Sequence, residues 1–150
     1  MRQEKFTEQA QEALMTSQEL VRQMQHNQWD VEHVLLALLQ QEKGLAQDIL
    51  KELSVNVETL RDRVTTALSK TPKLAYEAGQ IYATPRIVRT LESAQAEADR
   101  LKDKFVGVEH LLIAISMERQ GDASRILHDF HIDQESIYRA LQSIRGSHRV

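Results

Sequence analysis

Two Glu-His pairs are the clearest candidates for chemistry in this sequence, because each stands before an apolar run. Residues 31–38 read VEHVLLAL and residues 108–115 read VEHLLIAI. A carboxylate in the first turn of a helix is stabilised by the free backbone N–H groups there, and it can also bind a cation. We expect His33 and His110 to be structural, as helix caps or at the edge of the core. Glu32 and Glu109 have two interpretations, helix capping and ligand binding.

A threonine lies 25 positions before each glutamate. Thr7 and Thr84 are predicted N-caps of the preceding helices, and Pro85 follows Thr84 at the first helical position. Such a helix start attracts an anion or a carbonyl oxygen. We pair each threonine with the glutamate of its own half, Thr7 with Glu32 and Thr84 with Glu109. Each pair would then suit a zwitterionic or peptide-like ligand.

Other patterns of catalysis or metal binding are absent or weak. The five glycines are scattered, so we predict no phosphate-binding loop and no ATP site in this chain. Without cysteine there is no thiol nucleophile and no disulfide. His128 and His131 stand three positions apart, but no third metal ligand follows at regular spacing. We predict a chain that is not an enzyme and has no cofactor or metal of its own.

The composition predicts a soluble globular protein, with 41% hydrophobic and 27% charged residues. A formal net charge of −3 argues against nucleic acid, for which a basic patch supplies most of the affinity. The longest strongly apolar run, residues 34–39, is too short to cross a bilayer, and the first residues lack the apolar segment of a signal peptide. We expect a cytoplasmic protein with no membrane partner.

The Glu-His motifs belong to a long internal repeat. Val31 and Val108 stand 77 positions apart, and the same offset aligns the sequence without a gap from Thr7 with Thr84 onwards. Two copies are too few for a solenoid. They suit a closed pseudo-twofold pair in which each half covers the apolar face of the other.

Each copy is predicted to form four helices, so the fold class is all-α, a tandem repeat of two four-helix units. Apolar spacing predicts a first helix at about residues 7–25 and a second at about residues 30–42. Glycines are expected to end the second helix of each copy, and polar caps to begin the second and fourth. These residues are Gly44, Gly121, Asp30, Asn56 and Asp133.

We expect one domain over residues 1–150. Repeat one would cover about residues 6–70 and repeat two about residues 83–147, joined by a linker at about residues 71–82 that contains Pro72 and Gly79. The linker would form a short extended segment at most.

Several of these stretches resemble the amino-terminal domain of the Clp AAA+ unfoldases. The resemblance is carried by FTEQAQEAL, the doubled Glu-His motif, ATPRIVRTLESAQAEADRLKDKFVGVEHLL and the closing IRGSHRV. It covers about residues 4–150 and is strongest for the ClpB branch of disaggregase chaperones. The ClpC branch is the alternative.

The resemblance implies a substrate-recognition domain that binds unfolded or aggregated protein and passes it to an ATPase ring. The parent would be a stress-response homohexamer that binds ATP in its own ATPase modules and works with a DnaK-type chaperone. In the ClpC branch, the implied partners are adaptor proteins or phosphoarginine-marked protein. A purely structural cap on the hexamer is a further hypothesis.

The resemblance also implies site residues. Thr7, Asp103 and Glu109 match family positions associated with substrate contact, although Asp103 in RLKDKF is also interpretable as a solvated charge. Leu91 is one example of the apolar residues of helices one and five that would line a groove. The two Thr–Glu pairs match positions associated with phosphoarginine, but a carboxylate at Asp30 would repel a phosphate near the first pair.

Overall fold

The computed structural model describes residues 5–147. Within them lie eight α-helices and two short strands, which confirms the predicted all-α class with two four-helix units. The elements are α1 (Glu8–Gln23), β1 (Gln28–Trp29), α2 (Val31–Gln40), α3 (Leu45–Glu52), α4 (Val57–Ser69), β2 (Tyr82–Ala83), α5 (Pro85–Arg100), α6 (Val108–Met117), α7 (Asp122–Asp129) and α8 (Gln134–Ser147). The first three helices recur with identical lengths in the second half. The last residues of the IRGSHRV stretch, 148–150, lie outside the described part.

Polar side chains begin the helices where the sequence predicted them. Thr7 Oγ1 accepts a hydrogen bond from the Ala10 N–H at 3.1 Å, and Thr84 Oγ1 accepts one from the Ile87 N–H at the same distance. Both caps satisfy a donor that has no partner within the helix. The predicted caps of α2, α4 and α8 are also confirmed by bonds from backbone N–H groups to Asp30, Asn56 and Asp133.

The prediction for the two glycines was wrong. Helices α2 and α6 end before Gly44 and Gly121, which instead occupy the N-cap positions of α3 and α7. Their φ values are +131° and +92°, in a region that is essentially restricted to glycine. The glycines therefore mark the sharp turn into the third helix of each half.

The two glycines provide a matched pair of substitutions. A Cβ on Gly121 would meet the guanidinium of Arg86, whereas a Cβ on Gly44 would meet the Gln9 side chain. Arg86 is held by three carboxylates and cannot move aside cheaply. We expect Gly121→Ala to lower the free energy of unfolding by about 2 kcal/mol and Gly44→Ala by about 1 kcal/mol. Urea unfolding of both variants checks this, and equal losses would contradict it.

Helices α2 and α6 form the centre of the molecule. Residues 31–39 and 108–116 are all buried, because these helices are apolar on nearly every side. Helix α3 packs on α6 and α8, and α7 packs on α2 and α4. Each half thus covers the central helix of the other, as the repeat predicted.

Short parallel backbone pairings join the two halves. In β1 and β2, Trp29 pairs with Ala83, and an isolated bridge pairs Phe6 with Val106. The second pairing is the pseudo-symmetry equivalent of the first, since Phe6 corresponds to Ala83 and Val106 to Trp29 at the repeat offset. These pairings set the start of α5 beside the start of α2, and the start of α1 beside the start of α6.

Candidate functional site

The pairing of each threonine with the glutamate of its own half was wrong. Helices α1 and α2 are antiparallel, because Gln9 near the start of α1 bonds to Gln41 and Lys43 at the end of α2. Thr7 therefore lies at the opposite end of α2 from Glu32. Its N–H instead donates to the Val106 carbonyl, just before α6, at 2.9 Å. Thr7 is thus grouped with the helix that carries Glu109.

Thr84, in turn, lies beside the start of α2, the helix that carries Glu32. The Thr84 N–H donates to the Trp29 carbonyl at 3.1 Å, and its hydroxyl donates to Asp30 Oδ1 at 2.8 Å. Two polar corners result. The Thr84 corner comprises Thr84, Asp30, Glu32, Arg86 and Glu118; the Thr7 corner comprises Thr7, Asp103, Glu109, His110 and Arg145.

The Thr84 corner is filled by the guanidinium of Arg86. Its nitrogens lie 3.0 Å from Asp30 Oδ2, 2.9 Å from Glu32 Oε2 and 2.8 Å from Glu118 Oε1. Burial alone would lower the pKa of Arg86, but the hydrogen bonds that it donates to Glu32 and Glu118 raise the pKa above its ordinary value. Glu32 Oε2 also accepts the Ala123 N–H at the start of α7, at 3.0 Å. Glu32 thus joins the two halves, rather than only capping its own helix.

Within the described residues 5–147, the Thr7 corner has fewer hydrogen bonds than the Thr84 corner. Arg145 lies 2.9 Å from Asp103 Oδ2 and 3.4 Å from Glu109 Oε2. Burial would raise the pKa of Asp103, but bonds from Arg145 and His110 bring it below its ordinary value. Asp103 is therefore a bonded part of the corner and not simply a solvated charge. Glu109 is only 9% exposed, yet its hydrogen bond to Arg145 is long.

The two histidines are structural, as predicted. His33 Nδ1 accepts the Asp30 N–H at 3.1 Å, and His110 Nδ1 accepts the Gly107 N–H at 2.8 Å. On the far side of the ring the copies differ, because His110 Nε2 meets Asp103 at 2.8 Å whereas His33 Nε2 meets His26 at 3.0 Å. Burial and the neighbouring His26 lower the pKa of His33 to about 4.

One group of side chains has the spacing of a metal site. Donor atoms of Asp103, Glu109 and His110 lie within 4.8 Å of one another. However, His110 Nδ1 accepts a hydrogen bond, so Nε2 carries the proton of the neutral ring. A metal on Nε2 would force the proton of the neutral ring onto Nδ1, which could then no longer accept the hydrogen bond from the Gly107 N–H. The metal would also face the Arg145 cation. These donors fit a metal poorly. Of the two histidines that stand three positions apart in the sequence, His128 and His131, the first is bonded to the Ser116 carbonyl at 3.0 Å.

A groove of about 370 Å³ runs along α1 opposite α5. Leu14 and Leu91, equivalent positions of the two repeats, both line it, so the groove lies where the two halves meet. Trp29 is held by a 2.8 Å bond from its Nε1 to Ser17 Oγ, and Met15 is 61% exposed. The lining comprises Phe6, Gln11, Leu14, Met15, Gln18, Trp29 and Leu91.

The groove connects the two polar corners. Phe6 precedes Thr7 at one end, and Trp29 precedes Asp30 at the other. Among residues 5–147, each corner has more carboxylates than guanidinium groups, so a mainly apolar floor adjoins two acidic corners. The structure thus brings Thr7, Asp103 and Glu109 together at one end, Glu32 and Thr84 at the other, and Leu91 between them. Sequence reasoning missed Arg86, Arg145 and Trp29.

Among residues 5–147, no helix has both the length and the apolar character that crossing a membrane requires. The structure defines a duplicated helical domain, in which two interlocked four-helix repeats carry a mainly apolar groove between α1 and α5. The sequence matches the family of Clp repeat (R) N-terminal domains over residues 5–130, and the chain belongs to that family.

Curated relatives confirm the resemblance to ClpB chaperones. The chain is 34% identical over 148 residues to the chaperone protein ClpB of Bacillus anthracis, covering 97% of this chain and 17% of the relative. It is 38% identical over 146 residues to chaperone protein ClpB 1 of Synechocystis sp., covering 97% and 16%. The chain therefore spans about a sixth of these relatives, and the match is to an N domain with no ATPase module.

Solved structures share the fold. The N-terminal domain of Hsp104 from Candida albicans superimposes with a TM-score of 0.80 at 21% identity, covering 96% of this chain and 93% of that one. A ClpV N-domain in complex with a VipB peptide superimposes with a TM-score of 0.72 at 19% identity, covering 93% and 86%.

Proposed function

We propose that this chain is the substrate-recognition domain of an ATP-dependent protein disaggregase, and that its groove binds apolar segments of unfolded or aggregated polypeptide. The observation that carries the proposal is the open groove between α1 and α5, with Leu14, Leu91 and the exposed Met15 on its walls. Buried apolar residues have a packing role, but a 61% exposed methionine beside two half-buried leucines is available to a partner.

Two further observations support a polypeptide ligand. The groove has the polar side chains of Gln11 and Gln18 among its apolar ones, as a ligand with a peptide backbone requires. The related ClpV N-domain has been solved with a peptide, which shows that this fold can take such a ligand. A shallow groove that buries a few hundred Å² gives roughly −5 to −7 kcal/mol after ordering costs, hence a Kd of about 10 to 200 micromolar. Weak binding suits a domain that must release its ligand.

The parent would be a cytoplasmic homohexamer that holds ATP in its ATPase modules and works with a DnaK-type chaperone. In this arrangement the domain makes first contact with misfolded protein and passes it to the ring. A second kind of ligand in the same groove, a defined segment of an adaptor protein, is the main alternative. Phosphoarginine is less favoured at the Thr84 corner, because Arg86 already fills it and the Thr84 hydroxyl is bonded to Asp30.

A charge placed on the groove wall should weaken binding. We expect Met15→Glu to raise the Kd for a permanently unfolded, carboxymethylated test protein at least about fivefold, because the new carboxylate must be desolvated against apolar surface. Met117→Glu is the matched control, since Met117 is also exposed but lies outside the groove. Fluorescence anisotropy with the chain of residues 1–150 measures both.

Three outcomes would count against the proposal. Equal losses in the two variants would show that the groove is not the binding surface. Retention of one folded partner from a defined mixture, with no binding of unfolded chains, would favour the adaptor alternative. Full disaggregation by a parent lacking residues 1–150 would favour the structural cap.

A further inference from the structure

We propose that the domain binds a second copy of itself head to tail, with an acidic face of one copy packed against a basic face of the next. The acidic face is the surface around Glu12 and Glu42, and the basic face is the surface around Arg89 and Arg119. The contact does not depend on the groove. It joins neighbouring copies of the chain, such as those in the hexameric parent proposed above.

The two faces occupy equivalent places in the two repeats. Glu12 and Glu42 line a concavity of about 440 Å³ beside the end of α2. Arg89 and Arg119 line a concavity of about 280 Å³ beside the end of α6. At the repeat offset Glu12 corresponds to Arg89, and Glu42 corresponds to Arg119. Two surfaces with the same position in the repeat therefore carry opposite charges.

These four side chains are available to a partner. All four residues are exposed, and within residues 5–147 none of their side chains forms an ion pair or a hydrogen bond. The reversal recurs at the start of the third helices, where exposed Asp48 corresponds to Arg125, although Arg125 is already paired with Asp122. The free charges are thus separated by sign between the two halves, which gives the faces electrostatic complementarity.

Each concavity also contains one charge of the other sign. Lys43 lines the acidic concavity and Glu118 lines the basic one. Glu118 lies 2.8 Å from Arg86, so its charge is compensated within the chain and the two free arginines dominate the basic face. Met117, which is 39% exposed, lines the same concavity. An exposed methionine beside two cations suits a protein partner better than a small anion, because only a protein surface would also cover the apolar side chain.

The positions of the faces allow one copy to hold two neighbours. Arg86 bonds to Glu32 at the start of α2 and to Glu118 at the end of α6, so the basic face lies near the start of α2. The acidic face lies at the other end of this ten-residue helix, about 15 Å away. A contact between unlike faces propagates from copy to copy and closes into a ring where the rotation allows. Tethering in a hexamer raises the effective concentration to about the millimolar range, so a weak contact is sufficient.

Sedimentation equilibrium of the chain of residues 1–150 tests the proposal. In low salt we expect self-association with a Kd of about 0.1 to 1 mM, weakened at least about fivefold in 0.5 M salt. The acidic-face variant, Glu12→Arg with Glu42→Arg, should raise this Kd at least about tenfold, because two like-charged faces then meet. The basic-face variant, Arg89→Glu with Arg119→Glu, should raise it by a similar factor for the same reason.

Mixing the two variants provides the decisive measurement. Each variant retains the native face that the other has lost, so the mixture should associate with a Kd at or below that of the unmodified chain. The matched control is Arg22→Glu with Arg139→Glu, which changes the net charge as much as the basic-face variant does. Both arginines are exposed and line neither concavity, so this control should keep the Kd within about threefold.

The results distinguish this contact from the groove. A chain that stays monomeric at about 1 mM in low salt, a Kd that neither face variant alters, or a mixture that fails to associate would each overturn the proposal and leave the two faces to a different protein. Both face variants should bind the carboxymethylated test protein with a Kd within about twofold of the unmodified chain. A failure of self-association is therefore read separately from a failure of the groove.

Discussion

Arg86→Met is expected to lower the free energy of unfolding by about 3–5 kcal/mol, because it leaves partly buried carboxylates without their cation. The side chains of Glu32 and Glu118 are only 10% and 11% exposed, and Asp30 is 22% exposed. Methionine keeps most of the apolar volume of arginine, so the loss reports charge and hydrogen bonds more than packing. A decrease of roughly 10 °C in Tm would accompany it.

The control for this substitution is an arginine on the surface. Arg139 pairs with Glu135 on α8, and the two side chains are 67% and 82% exposed. Arg139→Met should therefore cost no more than about 0.5 kcal/mol. Urea unfolding at pH 7 measures both variants. A loss below about 1 kcal/mol for Arg86→Met would show that this ion cluster does not hold the two halves together.

The second large effect is a loss of stability in mild acid. The pKa of His33 is lowered to about 4 from an ordinary 6.5, so the unfolded chain binds a proton in this range and the folded chain does not. Stability is full above about pH 6.5 and is lost as the pH falls towards 4. The loss from this group is about 2 kcal/mol at pH 5 and about 3 kcal/mol at pH 4. The pKa of His26 is lowered as well, by burial and Lys73, in the same direction.

The second repeat supplies the variant that tests this effect. Asp103 occupies the position equivalent to His26 and accepts a bond from His110 at 2.8 Å. His26→Asp should give His33 the same partner, raise its pKa and remove most of the difference in stability between pH 7 and pH 5. His131→Asn, an exposed histidine, should retain that difference. An unchanged pH dependence in His26→Asp would exclude His33 as the origin.

Much of the fold was predictable because the repeat supplies its own internal check. A helix cap at Thr7 is more credible when Thr84 stands at the same offset before a proline, and the structure confirms both. The central position of α2 followed from apolar residues on all of its sides. The glycines were misassigned because glycine is typical of helix ends, whereas these two begin the next helix.

The site was less predictable because it depends on which ends of helices meet. Chain order placed Thr7 with Glu32, but antiparallel packing of α1 on α2 separates them. The cation of the Thr84 corner is Arg86, and a comparison of only those residues that the two copies share does not select this position. Its counterpart Gln9 is neutral, and this difference between the copies was the available signal for Arg86.

The reciprocal packing of α3 on the second half and α7 on the first has an evolutionary consequence. A single ancestral copy would have left its central helix uncovered, so it would have needed an identical companion, as in a homodimer. Once both copies were fused in one polypeptide, their sequences no longer had to match. One end of the molecule could then acquire the ion cluster around Arg86, which joins the two halves, while the equivalent position at the other end kept the neutral side chain of Gln9.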